Sequence, residues 1–168
     1  MKFSLIFIFC LGVFFVNAQE GSFLLSIKDY PVKEGSIFYT IETVSRCYRL
    51  PIEGVEVISK SDSVFSIANG IITDVFQIDD QWGVFVKNST GLFYVYWHLQ
   101  KPILEKGIII TKGTFLGKIK RNDEDILSIR LMISDRKGKI FNQLKTVELL
   151  KKILPQNCNY KPQEIVAL

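Results

Sequence analysis

An antiparallel β-sandwich with one C-terminal helix is the fold this sequence predicts, and three observations predict it. Apolar and polar residues alternate with a two-residue period through much of 23–134, as half-buried strands require. Glycine or Asn/Asp pairs break that alternation at roughly eight- to twelve-residue spacing, the rhythm of short strands in a sandwich or barrel. Helical periodicity is clear only once, near the end, and a proline stops it. With 168 residues, 48% of them hydrophobic, the chain can bury one real core and is too short for two. Its 13 Phe, 6 Tyr and 2 Trp exclude intrinsic disorder.

Taken in order, residues 1–18 read as a secretory signal peptide: Lys2, an apolar block from Phe3 to Val16, then Asn17-Ala18 before the cut. A transmembrane anchor is the alternative, but the block is short for a hydrocarbon core of ~30 Å. Cys10 leaves with the signal, so the exported chain, secreted or periplasmic, keeps Cys47 and Cys158. Those two could form one disulfide or remain buried thiols, since sequence spacing says nothing about proximity.

Residues 19–50 are expected to hold N-terminal strands, with Phe23-Leu25-Ile27 and Ile37-Tyr39-Ile41 as their apolar faces. Residues 51–134 form the main β domain. Val84 and Val86 alternate there, and the unbroken aromatic run from Leu92 to Leu99 predicts a central strand covered on both faces. Breaks fall at Asn69-Gly70, Asp79-Asp80, Asn88 to Gly91, Lys106-Gly107, Lys112-Gly113 and Asn122-Asp123. Gly70 should make a tight reversal at positive φ. Lys106-Gly107 and Lys112-Gly113 should turn the chain twice around a short strand, and Gly117 should mark a bulge or a close backbone approach. Residues 135–168 carry the helix and a tail. Leu144, Val147, Leu150, Ile153 and Leu154 define one face, Lys145, Glu148, Lys151 and Lys152 the other, and Pro155 ends it. The helix should lie within 141–155.

Several function classes fall away. A net charge of +4 is too weak to argue for nucleic acid, and Arg136, Lys137, Lys139, Lys145, Lys151 and Lys152 read as a solvated face. With His98 as the single histidine, no site needing two histidines exists. Asp79, Asp80, Asp123, Glu124 and Asp125 lack the dense oxygen spacing of a calcium loop. No cofactor and no membrane span after signal removal is expected. Trp82, Tyr94, Tyr96 and Trp97 read as core or rim aromatics, with a sugar-stacking platform as the lesser alternative.

Between 51 and 134 a series of short pieces stands in a recognisable order. Pro51-Ile-Glu-Gly-Val-Glu56 and Val64-Phe-Ser-Ile-Ala-Asn-Gly70 are followed by Trp82-Gly83-Val-Phe-Val and Tyr94-Val-Tyr-Trp-His98-Leu99. Lys106-Gly107, Lys112-Gly113-Thr-Phe-Leu-Gly117 and Ser128-Ile-Arg-Leu-Met-Ile133 complete it. The series resembles the lysostaphin/LytM-type peptidoglycan metalloendopeptidase domain, over about half of the chain. The resemblance implies a β-sandwich of the duplicated hybrid motif type.

In that family zinc is held by the His and Asp of a His-x-Gly-x-Asp segment and by the second His of His-x-His. Anchored on Gly54, those first positions are Ile52 and Glu56; anchored on the last strand, the pair falls at Ser128 and Arg130. Only His98, in Tyr-x-His-Leu, matches. Isoleucine has no donor atom and arginine is a permanent cation, so the zinc set is lost. The resemblance therefore implies an inactive domain, with Glu56, His98, Ser128 and Arg130 lining a groove that binds peptidoglycan or a cell-wall hydrolase. Two alternatives stand beside it: a divergent zinc peptidase using His98, Glu56 and a third ligand such as Asp74, and a structural envelope protein. Period-two geometry puts Ser128, Arg130 and Met132 on one strand face, opposite Leu127, Ile129, Leu131 and Ile133. Arg130 should therefore meet Glu56 in the groove and replace the ion's charge in part.

Overall fold

Ten strands and one helix are built from the residues that the computed structural model describes, namely 21–27, 30–41, 53–121 and 125–154. They are β1 (Gly21–Ile27), β2 (Gly35–Ile41), β3 (Val55–Ser59), β4 (Ser63–Phe65), β5 (Gly70–Ile78) and β6 (Gln81–Lys87). β7 (Phe93–Leu99), β8 (Ile109–Ile110), β9 (Phe115–Lys118), β10 (Ser128–Ser134) and α1 (Gln143–Ile153) follow. The expectations for the signal segment with Cys10, for Cys47 and Cys158, for Ile52 and for Asn122 to Glu124 lie outside these residues.

Eight strands form one sheet in the order β1-β2-β3-β10-β7-β6-β5-β8, and every pairing in it is antiparallel. β4 and β9 pair separately and lie over it. The period-two pattern decides which face is buried. Ile37, Val57, Ile129, Leu131, Ile133, Tyr96 and Val84 are each completely buried and belong to one cluster with Val64, Leu116 and Ile119 of the second layer. Burying each such side chain is worth about 1.5–3 kcal/mol, so the inner face dominates the fold's energetics. A polar joint fixes the two layers: the Ile67 backbone N–H donates to the fully buried Tyr96 hydroxyl at 2.9 Å.

α1 packs on β2 and β3. The Asn142 side chain accepts from the Lys145 N–H at its start, and Lys151 and Lys152 sit in its last turn, where cations favour the helix dipole. Two expectations need correction. Leu144, expected on the apolar face, is 55% exposed, while Thr146 is fully buried beside Val147 and Leu150. At 3.6 residues per turn the buried stripe runs through 146, 150 and 154, and Leu144 stands roughly 120° from its centre. Gly70 is not at positive φ; it opens β5, where an added Cβ would lie 2.4 Å from the Lys87 carbonyl oxygen. Strand-to-strand approach, not a reversal, requires glycine there. Gly107 and Gly113 do adopt positive φ, 92° and 86°, and flank β8 as the chain turns twice. A register shift between Val64 and Phe65, which pair with Gly117 and Phe115 and leave Leu116 as the extra residue, is the expected bulge. No helix among the described residues is long and apolar enough to cross a membrane.

Candidate functional site

Because β10 pairs with both β3 and β7, one residue of each falls into a single row. Arg130 is opposite Glu56 on β3 and opposite Trp97 on β7. The row continues through Gly83 on β6 to Phe76 on β5, and on the other side to Phe38 on β2. Directly paired residues share a sheet face. Their neighbours Ile129 and Leu131 fill the core, so this row occupies the opposite, outer face.

Three polar side chains meet on that row. Arg130 Nε lies 3.8 Å from Glu56 Oε2, and His98 Nδ1 lies 3.9 Å from Glu56 Oε1. Their side chains are 46% (Arg130), 25% (Glu56) and 30% (His98) exposed. Both separations exceed hydrogen-bond reach, so charge and packing hold the group together. His98 enters it through its backbone. Strict alternation from Tyr96 would send its ring to the core, but its φ is 71°, in the left-handed region that non-glycine residues seldom occupy. The Lys120 N–H, donating to the His98 carbonyl at 2.8 Å, helps to hold that conformation, and the ring stands edge-on to Trp97 at 6.4 Å. Burial holds the imidazole below its usual pKa, with Glu56 pushing it up and Arg130 pushing it down.

Ser128 pairs with Ile58, two residues along β10, is buried, and among the described residues makes no ion pair or hydrogen bond to the other three. Asp74 does not join them either. It lies on β5, opposite Phe85, and its carboxylate takes the Val75 N–H at 3.0 Å. Among the described residues no cluster of three or more His, Cys, Asp or Glu is assembled. The zinc that the resemblance implies does not fit this donor set: one carboxylate faces a guanidinium at a ligand position.

The aromatics divide. Tyr94 and Tyr96 are core residues, whereas Trp82 and Trp97 are half-buried. Trp97 Nε1 donates to Gln81 Oε1 at 2.9 Å, and its ring meets Phe76 with centroids 5.1 Å apart. Phe76 was not singled out from sequence. Its ring lies over Gly83, where a Cβ would come within 2.2 Å of it. A glycine inside an apolar strand is the signal of such an approach. Elsewhere, an open depression of about 660 Å³ lined by Ile27, Glu34, Gly35, Ser36, Ile58, Ser59 and Lys60 shares no residue with the row.

No family model and no curated protein matches the sequence. Solved structures do. Csd3 from Helicobacter pylori aligns with a TM-score of 0.51 at 17% identity, over 83% of this chain and 37% of that one. A mutant catalytic domain of the prophage-encoded M23 protein EnpA from Enterococcus faecalis aligns at 0.50 and 14% identity, over 71% of this chain and 88% of that one. The complex of SpoIIIAH and SpoIIQ aligns at 0.47 and 21% identity, over 61% and 76%. The fold is that of a LytM-type peptidase domain.

Proposed function

We propose that this protein is an exported, non-catalytic LytM-like domain that binds cell-wall peptidoglycan at the outer face of its large sheet. The observation that carries the reading is Arg130 facing Glu56 at 3.8 Å where the resembled enzymes place zinc ligands. A guanidinium there supplies the positive charge that a lone carboxylate needs, yet it cannot activate water as a metal does. His98 and Glu56 can move a proton, but this donor set does not fit the metal that generates the hydroxide nucleophile on which the resembled chemistry depends. The apolar block within residues 1–18 supports export.

The test joins three measurements on purified protein lacking residues 1–18. Co-sedimentation with isolated sacculi, absence of stoichiometric zinc by elemental analysis, and no release of muropeptides are the expected results. Bound zinc together with peptide cleavage would establish the divergent peptidase instead. Failure to co-sediment would remove the wall-binding reading.

A further inference from the structure

The row of outer-face side chains has a chemical profile of its own, and it specifies a ligand more closely than the fold does. Glu56 approaches Arg130 at Nε to 3.8 Å, without closing a hydrogen bond. Beyond Glu56 the Arg130 side chain has no hydrogen-bond or ion-pair partner among the described residues, and it is 46% exposed. Its guanidinium fork matches a planar carboxylate in geometry as well as charge. Because Glu56 offsets the Arg130 charge, the two-pronged hydrogen-bond match rather than net charge selects the ligand. A second negative charge would be repelled by Glu56 without compensation, which favours a carboxylate over a doubly charged phosphate. Next in the row comes an apolar patch: half-buried Trp97, then Phe76, whose ring tip reaches over Gly83 and which meets the Trp97 ring edge-on. Adjacent strands of a sheet lie about 4.8 Å apart, so a ligand group held at Arg130 has its neighbouring group beside Trp97.

We infer that Arg130 receives the terminal carboxylate of a peptide whose last side chain lies on Trp97 and Phe76. The inference rests on the binding role proposed above and names the ligand chemistry of that same face. Glu56 orients the guanidinium from behind, and His98, edge-on to Trp97, borders the same opening. Retaining Glu56 then has a reason: it sets the angle of the fork and rejects dianions.

The test uses N-acetylated tri-alanine as the free acid and as its amide, with acetate and inorganic phosphate as controls, titrated into the exported chain. Binding is read from the His98 imidazole and Trp97 indole NMR signals. The acid should bind at least tenfold more tightly than the amide, and phosphate should compete no better than acetate. Arg130→Ala should erase the acid–amide difference, Arg130→Lys should keep only part of it, and Trp97→Ala should weaken both peptides alike. Equal binding of acid and amide by the unmodified chain overturns the inference, whatever the variants do. Phosphate binding more tightly than acetate overturns it in favour of a phosphate site. Sacculus binding without carboxylate preference removes the inference and leaves the wall-binding role standing. Loss of sacculus binding while the acid–amide preference persists removes that role and leaves the carboxylate site.

Discussion

Arg130, Glu56 and His98 are linked by charge without hydrogen bonds, and two measurements can read that linkage. His98 is the single histidine, so its imidazole resonances titrate without ambiguity. Burial, chiefly, holds its pKa below that of a free imidazole. Glu56→Gln removes the neighbour that raises it and should lower the pKa further; Arg130→Ala removes a lowering neighbour and should raise it. The stability consequence follows in sign. A base whose folded pKa is depressed binds more protons when unfolded, so stability is greatest above pH 6.5 and falls as pH drops through the folded pKa. Denaturant midpoints of the native chain and His98→Gln across that interval check it: the variant's stability should vary less with pH there. Arg130→Ala should cost about 1 kcal/mol. In a double-mutant cycle with Glu56→Gln the coupling should be about 0.5 kcal/mol, because both groups are partly solvated. A coupling of zero would show that the 3.8 Å approach has no energetic content.

At the scale of elements, α1 shows what capping and facing each contribute. Asn142 accepts the Lys145 N–H, so Asn142→Ala should destabilise the fold by about 1 kcal/mol in thermal or denaturant unfolding. Leu144→Ala, two residues on and 55% exposed, should change stability by less than about 0.5 kcal/mol. The reverse ranking would mean that α1 buries the face containing Leu144. The helix's existence and its end at Ile153 were legible because Val147, Leu150 and the proline stop form a local pattern. Which side of that pattern is innermost was not, because Thr146 is buried by its position against the sheet rather than by hydrophobicity. Gly70 teaches the same lesson. Its neighbours suggested a reversal, whereas the Lys87 carbonyl of a paired strand imposes the glycine.

The whole molecule depends on the joint between its large sheet and the β4–β9 layer. The Tyr96 hydroxyl accepts the Ile67 N–H across that joint in a fully buried setting. Tyr96→Phe keeps the ring and orphans the donor, so it should cost about 1–3 kcal/mol, more than the same change at a solvated tyrosine. Equilibrium unfolding checks this, and a neutral result would show that another acceptor replaces the phenol. The degenerate site depends on the same architecture. Glu56 and Arg130 meet because β10 lies between β3 and β7, and Phe76 reaches Trp97 because β5 flanks β6.

The sequence by itself determined the alternation of the central strands, one amphipathic helix, the turns at Gly107 and Gly113, and the presence of only one histidine for any site. Each follows from local periodicity, backbone permissiveness or counting. Only the tertiary structure decided that Arg130 stands between Glu56 and Trp97, that His98 leaves the alternation at φ 71°, and that Phe76 covers Gly83. Those facts rest on strand order and register, which are contacts between residues distant in the chain. Their selection is made by the burial of a common core, and no window of sequence contains that information.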